Sequence, residues 1–404
     1  MTKSLTMAEL VRQGALTFGD GYRTKKSELG RPGIPILRVA EVHNGYIRPE
    51  FVDYVSADFR AAMGVKVSQP GDIVLTTKGT VGRVAVIPGD APEFVYSPQV
   101  CFFRVTDGGP LVDRFLYYWF KSAEFWRQAS SRKGQTDMAD YLNLADIKEL
   151  TLSLPLRTEQ QSVVEVLGAL DDKIELNFRI AAAYEQLLQL RFAELGLSDE
   201  PGSEEAIVIT DLVEFNPKVA KPSVEEPVYV DMAALQTDRA SIPSWARRPP
   251  KSGPRFMNGD TLLARITPCL ENGKTGYVDF MEDSEVGLGS TEFIVVRSRP
   301  GVPAELSYFL ARDHRFREHA IRNMVGSSGR QRVSAADVAN YLVNRPDADA
   351  LAAFGREAEA AFAHMKSLQG ENRHLATLRD TLLPQLMSGR LRVKDAEKIV
   401  EDHA

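Results

Sequence analysis

The chain has 404 residues, 44% of them hydrophobic, and a formal charge of −6, enough length for two or three domains. It holds no apolar run of the ~18 residues a membrane helix needs. Its opening MTKSLTMAELVRQG lacks the apolar core of a secretion signal, so a cytoplasmic protein is expected. The acidity that argues against a polyanionic partner is uneven. Residues 1–155 hold 19 Lys+Arg against 17 Asp+Glu, residues 156–205 hold 4 against 11, and residues 206–344 hold 17 of each. Local potential governs docking more than total charge, so basic faces on the outer stretches remain open to DNA.

Residues 1–155 read as a mixed α and β globular stretch. IPILRVAEV (34–42), GDIVLTTKGTVGRVAVIP (71–88) and FVYSPQVCFFRV (94–105) are β-branched and aromatic runs broken by Gly and Pro, the pattern of strands and turns. DRFLYYWFKSAEFWRQASS (113–131) follows with Phe115, Leu116, Trp119, Phe120 and Trp126 at helical spacing. Such aromatic density could stack bases, but a stripe facing a core is the simpler reading. A polar loop, KGQTDMADYLNLADI (133–147), leads to a short helix.

From Val163 the apolar positions step by four and three: Val163, Leu167, Leu170, Ile174, Asn177, Ala181, Tyr184, Leu188. A 3.5-residue period is the seam of a helix packed along another helix, and an amide at a seam position disfavours slipped registers. We expect a spacer helix over 156–196, an acidic linker over 197–208 and a second globular stretch over 209–344. A second spacer helix is expected over 345–383. It carries a matching seam at Leu351, Phe354, Ala358, Ala361, Met365, Leu368, Asn372 and Leu375. The tail, 384–404, is polar and charged; it is expected to fray, with Leu391 and Val393 able to form a short docking strand.

The second half repeats the first. Gly71-Asp72 returns 188 residues on as Gly259-Asp260; Tyr118, Phe120 and Arg127 return 190 residues on as Tyr308, Leu310 and Arg317. Asp146-Ile147 returns after 191 residues as Asp337-Val338, and the seams start 188 apart. Such constant offsets mark an internal duplication. The expected fold class is α+β: two similar mixed α/β domains separated by an antiparallel pair of long helices, related by a pseudo-two-fold.

Enzyme motifs fail one by one. Asn272-Gly273-Lys274-Thr275-Gly276 resembles the end of a phosphate loop, but Pro268 stands where its first glycine belongs. His314 and His319 are five apart, unlike the i, i+4 pair that holds zinc. Cys101 and Cys269 make no metal or disulfide spacing and read as small buried hydrophobes. No nucleophile elbow is present. We therefore expect no active site and no metal.

Leu154-Pro155-Leu156-Arg157-Thr158-Glu159-Gln160, with Leu167, Leu170, Asp171, Lys173, Ile174 and Asn177, resembles the central region of the specificity subunits of Type I restriction–modification systems. Leu378-Arg379-Asp380-Thr381-Leu382-Leu383-Pro384-Gln385-Leu386-Met387-Ser388-Gly389 resembles their distal region. Gly19-Asp20-Gly21-Tyr22, Gly33-Ile34-Pro35-Ile36-Leu37-Arg38, Gly71-Asp72-Ile73-Val74-Leu75 and Val213-Glu214-Phe215-Asn216-Pro217 fall in the expected order. One departure is Asp347-Ala348-Asp349 after Arg345-Pro346, where the first copy has Thr158-Glu159-Gln160.

The resemblance implies that each globular domain is a target-recognition domain reading half of a split double-stranded DNA sequence for host defence. It implies that the helices bind two methyltransferase subunits and, through them, restriction subunits. It leaves this chain non-catalytic and without a cofactor, the methyl donor and ATP belonging to the partners. A helix of about 35 residues is ~50 Å long, alongside ~15 base pairs of duplex. A packed pair would then fix the unread gap.

Base readout needs bidentate Arg, Asn or Gln, with Lys and hydroxyls on phosphate. In the first domain the candidates are Tyr22, Arg23, Thr24 and Lys25, then Thr77, Lys78, Lys133, Gln135 and Thr136. In the second they are Arg247, Arg248, Lys251 and Lys274, and the cluster Gly326-Ser327-Ser328-Gly329-Arg330-Gln331-Arg332. Leu167, Leu170, Ile174, Tyr184, Phe354, Met365, Leu368 and Leu375 are the candidates for the subunit interface. The competing readings are a helical adaptor that binds no DNA, favoured by the net charge, and a diverged nuclease.

Overall fold

The computed structural model describes residues 3–48, 51–132, 134–135, 140–202, 206–249, 252–327 and 329–403. The chain forms two compact units, residues 1–173 with 374–404, and residues 174–373. Both unit boundaries fall inside long helices.

The first unit is built on a four-stranded antiparallel sheet of β1 (Leu16–Asp20), β2 (Ile73–Thr76), β3 (Val84–Val86) and β4 (Val100–Val105), in the order β1-β4-β2-β3. Successive residues of β4 serve opposite faces, as the two-residue pleat requires. The Phe103 ring meets Phe120 of helix α1 (Asp113–Lys121) at 4.6 Å. The Phe102 ring stacks on Tyr96 at 5.2 Å, from a smaller sheet in which Gly33–Leu37 pairs in parallel with Val95–Tyr96. Both faces of the main sheet are covered, so β2 is apolar without alternation and buried throughout. Phe115 to Phe120 are all buried, which makes the aromatic helix a core element; Trp126, 37% exposed, lies beyond it.

The second unit repeats this topology strand for strand. β5 (Val213–Phe215), β6 (Asp260–Ala264), β7 (Thr275–Tyr277) and β8 (Phe293–Ser298) form an antiparallel sheet in the order β5-β8-β6-β7. Helix α3 (Leu306–Arg312) corresponds to α1, and Val228–Val230 pairs in parallel with Gly287–Gly289 in the smaller sheet. Each domain is closed by pairing the strand that enters it with the strand that precedes its long helix. These pairs are Lys3–Thr6 with Thr151–Leu154, and Ala206–Val208 with Leu342–Asn344.

The repeated Gly-Asp pair has the same job in both copies. Gly71 and Gly259 turn at φ +83° and +87°, a region open to glycine. The following carboxylates are buried and grip an arginine of the neighbouring strand through two bonds each. Arg104 donates to Asp72 at 2.7 and 2.6 Å, and Arg297 to Asp260 at 2.6 and 2.7 Å. The N–H three residues upstream, from Gln69 or Met257, adds a further donor to each carboxylate.

Helix α2 (Arg157–Glu194) and helix α4 (Ala348–Met387) pair antiparallel within each unit. In the first unit Arg379 donates to Asp171 at 2.6 Å, and Asp171 also accepts from the Tyr118 hydroxyl at 2.8 Å. In the second, Asn177 meets Asn372 at 2.9 Å, Tyr184 meets His364 at 3.1 Å and Arg191 meets Glu357 at 3.2 Å. Residue numbers fall on one helix as they rise on the other. Each seam amide therefore finds its partner in the other seam, and a slipped register would bury both without one.

The tail differs from expectation. Gly389, at φ +69°, ends α4, and residues Val393–His403 form helix α5 instead of fraying or adding a strand. The reason lies in its spacing: Val393, Ala396, Ile399 and Val400 recur at three- and four-residue steps, with Ala396 fully buried. Cys101 is buried as expected; Cys269 is half-buried.

Candidate nucleic-acid interface

In both units the extension of the second core strand pairs with the loop ahead of a short capped helix. In the first unit Lys78–Gly79 pairs with Asp140–Tyr141, which pairs with Gly134–Gln135. Helix Leu144–Glu149 follows, capped by Asn143. In the second unit the N–H of Thr267 donates to the Gln331 carbonyl at 3.1 Å and that of Val333 to the Arg265 carbonyl at 3.0 Å. Helix Ala335–Val338 follows, capped by Ser334. The sheet core thus presents an irregular ribbon at corresponding places in the two copies.

The ribbon of the second unit has a rigid base. Val325 and Arg332 exchange both backbone bonds at 2.9 Å, and Gly326 and Gly329 turn at φ +134° and +79°. Arg332 itself is committed: its guanidinium binds Glu292 at 2.8 and 2.7 Å. The bond from Arg332 holds the Glu292 carboxyl below the usual carboxylate range. Arg330 is exposed and Gln331 half-buried on the loop that this pair braces, together with exposed Ser327. Ser328 lies outside the described residues.

The other candidates of this unit sit elsewhere. Lys274 donates to the Met232 carbonyl at 2.9 Å, and Arg247 pairs with Glu285 at 2.7 Å. The Arg248 guanidinium lies 3.3 Å from the Tyr229 ring centroid, with its buried Nε lacking a partner. Lys251 falls outside the described residues. Arg247 and Arg248 flank the smaller sheet, apart from the 325–333 ribbon.

In the first unit Lys78 and Gln135 lie on the outer strands of the ribbon, whereas Lys133 and Thr136 fall outside the described residues. The buried Thr77 hydroxyl donates to the Gln99 carbonyl at 3.2 Å, which ties it to the fold. Tyr22 to Lys25 form a separate segment: the Tyr22 N–H donates to the Tyr96 carbonyl at 2.7 Å. That approach requires Gly21, where a Cβ would lie 2.1 Å from the same oxygen. Arg23 and Lys25 are exposed and Thr24 is half-buried with an unpartnered hydroxyl. Tyr22 packs on the cluster of Ile36, Val55 and Val95, and burial pushes its hydroxyl pKa up.

The residues named for a subunit interface are largely used within the chain. Leu167, Leu170, Phe354, Leu368 and Leu375 are buried, and Ile174, Tyr184 and Met365 half-buried. What α2 leaves exposed is another apolar row: Leu176 at 51%, Leu187 at 47% and Leu190 at 65%.

Residues 17–186 match the family model described as the Type I restriction modification DNA specificity domain. That stretch is similar to the DNA specificity domains of Type I restriction–modification systems. Curated relatives include the specificity subunits of the Type I restriction enzymes EcoAI and EcoEI of Escherichia coli. The first is 25% identical over 51% of this chain and 37% of that protein; the second is 27% identical over 56% and 40%. The matched stretches thus span less than half of either relative. The solved S subunit of a Type I restriction–modification system from M. genitalium shares the fold, with a TM-score of 0.51 and 14% identity over 96% of each chain. The specificity-domain match covers the first globular stretch and most of α2; the repeated topology extends the same architecture to residues 206–344.

Sequence reasoning passed over the residues that hold the ribbons in place. Glu292 carries no motif. Asp72 and Asp260 were visible as a repeated Gly-Asp, but their arginine partners sit 32 and 37 residues downstream and only strand pairing reveals them. Among the described residues no helix is long and apolar enough to cross a membrane, and no group of three or more His, Cys, Asp or Glu is placed to hold a metal.

Proposed function

We propose that this chain is the DNA-reading subunit of a Type I restriction–modification complex, acting in the cytoplasm, with each domain reading one half of a split target. It is no enzyme itself. Methyl donor and ATP bind to two methyltransferase subunits and to the restriction subunits they recruit. The observation that carries this reading is the duplicated ribbon, one per unit, each continuing the second strand of its unit's main sheet. A braced loop with exposed Arg330 and half-buried Gln331 suits base edges, and the exposed Arg23, Lys25 and Lys78 suit phosphate.

Two measurements test it. Arg330→Ala or Gln331→Ala should weaken cognate binding by about 1–3 kcal/mol while sparing random DNA. Equal loss on both, in a gel shift with the methyltransferase partners present, would remove base readout from this loop. No sequence preference at any salt concentration would favour the helical adaptor. Partner docking is assigned to the exposed α2 row, because the seam is occupied within the chain. Leu187→Glu combined with Leu190→Glu should abolish co-purification of the methyltransferase and leave the thermal melt of this chain unchanged. Retained co-purification places the docking surface elsewhere.

A further inference from the structure

Each ribbon is bounded by a helix that runs into it and by the turn from which it grows. In the first unit these are the helix Ala123–Arg132, ahead of Gly134–Gln135, and the turn from β2 to β3 that contains Lys78–Gly79. In the second they are the helix His314–Arg322, ahead of Val325, and the turn from β6 to β7 that contains Ile266 and Thr267. The sequence repeat pairs Arg127 with Arg317, but the helix entries shift that match by one residue. The Ser122 hydroxyl accepts from the Phe125 N–H at 3.3 Å, and the Asp313 carboxylate from the Phe316 N–H at 2.9 Å. Phe125 and Phe316 are both buried and correspond, so Trp126 corresponds to Arg317.

The turns support the same pairing. Trp126 lies across Gly82 and Arg317 across Gly273, where a Cβ would come within 2.1 Å of the indole and 2.5 Å of the Arg317 Nη1. Both glycines have positive φ, +97° and +73°. Bare backbone on each turn thus lets a helix side chain lie against the ribbon. The two copies share the capped helix entry, the buried Phe and the glycine, and differ in the side chain laid over it.

Neither side chain is used up inside the fold. Arg312 and Arg315 donate to the carbonyls of Thr237 and Ser198, and Arg322 pairs with Glu318. Arg317, half-buried among them, makes no hydrogen bond or ion pair among the described residues, and none of its nitrogens is closed off from solvent. Trp126 is 37% exposed. A guanidinium fork matches O6 and N7 of guanine, and an apolar ring suits the thymine methyl. A contact to phosphate would call for similar chemistry in both copies, because the DNA backbone is the same at either half-site. A position that changes from Arg to Trp suits the reading of two different sequences.

We propose that Trp126 and Arg317 form one duplicated base-reading position, Arg317 donating to a guanine of one half-site and Trp126 packing on a thymine methyl of the other. This deepens the DNA-reading role proposed above and rests on it.

The test is a map of methylated bases made by the reconstituted methyltransferase with the full chain, either wild type or carrying Arg317→Met, Trp126→Leu or Trp126→Phe, beside thermal melts. Arg317→Met should lower the preference for guanine roughly tenfold at one position of one half-site. The other positions, the other half-site and the melting temperature should stay as in wild type. Trp126→Leu should lower a thymine preference at one position of the opposite half-site, and Trp126→Phe should keep most of it. Uniform loss across all sequences would make Arg317 a phosphate contact and overturn the proposal. So would an unchanged map for Arg317→Met or for Trp126→Leu. Loss at every position of a half-site together with a lower melting temperature marks a structural role and overturns it as well. A wild-type chain with no sequence preference removes the DNA-reading role itself, and this position with it.

Discussion

Arg297→Met is expected to destabilise the chain by about 3–5 kcal/mol, the cost of stranding a buried charge. The Asp260 side chain is fully buried and that of Arg297 is 31% exposed, so removing the cation leaves a buried carboxylate with the Met257 N–H as its remaining donor and no opposite charge. Arg104→Met should cost less, since Asp72, equally buried, keeps the Tyr96 hydroxyl as a donor at 2.6 Å. The pH dependence of the variant distinguishes a stranded charge from lost packing. Burial already holds the Asp260 pKa above the ordinary carboxylate value against the pull of Arg297, and without Arg297 it rises further. The resulting penalty is absent at low pH, where both states are protonated, and grows as pH rises through the raised value. Denaturant melts of Arg297→Met should therefore approach wild type as pH falls. A control with the same 2.6 Å distance but different burial is Arg60→Ala. Arg60 and Glu93 are 46% and 49% exposed, so this change should cost under about 1 kcal/mol. Equal costs for the two substitutions would remove burial as the cause.

The second large effect concerns the unread gap. Seven residues inserted between Lys173 and Ile174, matched by seven between Leu375 and Ala376, keep every seam position on its face. They lengthen each helix by ~10 Å at 1.5 Å per residue, which corresponds to ~3 base pairs of duplex. With its methyltransferase partners, the lengthened chain should methylate the same two half-sites about 3 base pairs further apart. Seven residues in one helix only should disrupt the pairing of Asn177 with Asn372 and abolish methylation. An unchanged gap in the doubly lengthened chain would show that the helices do not set it.

How much was legible follows from the range of each signal. The helices were readable because their period is local, and each seam carries its own amide. Their antiparallel register needed the structure, since nothing in the sequence around Asn177 identifies Asn372 as its partner. The duplication was readable from Gly-Asp and the aromatic helices, but its content was not. The shared order of the sheets, with the fourth strand between the first and second, arises from long-range pairing. Among the candidate site residues, residue type marked charge and could not report commitment. Arg332 looks as free as Arg330 until Glu292 is placed beside it, and Lys274 looks like a phosphate ligand until its ammonium reaches the Met232 carbonyl. The tail was misread because a short amphipathic helix and a short strand differ by only a few residues of period.

The most direct test is a map of methylated bases left by the reconstituted methyltransferase with this chain, beside the same map made with Arg330→Ala. The account predicts a split motif with a constant unread gap in the first map. In the second, one half-site should lose its sequence preference while the other half-site and the gap stay as they were. An uninterrupted motif, a variable gap, or simultaneous loss of both half-sites would contradict it.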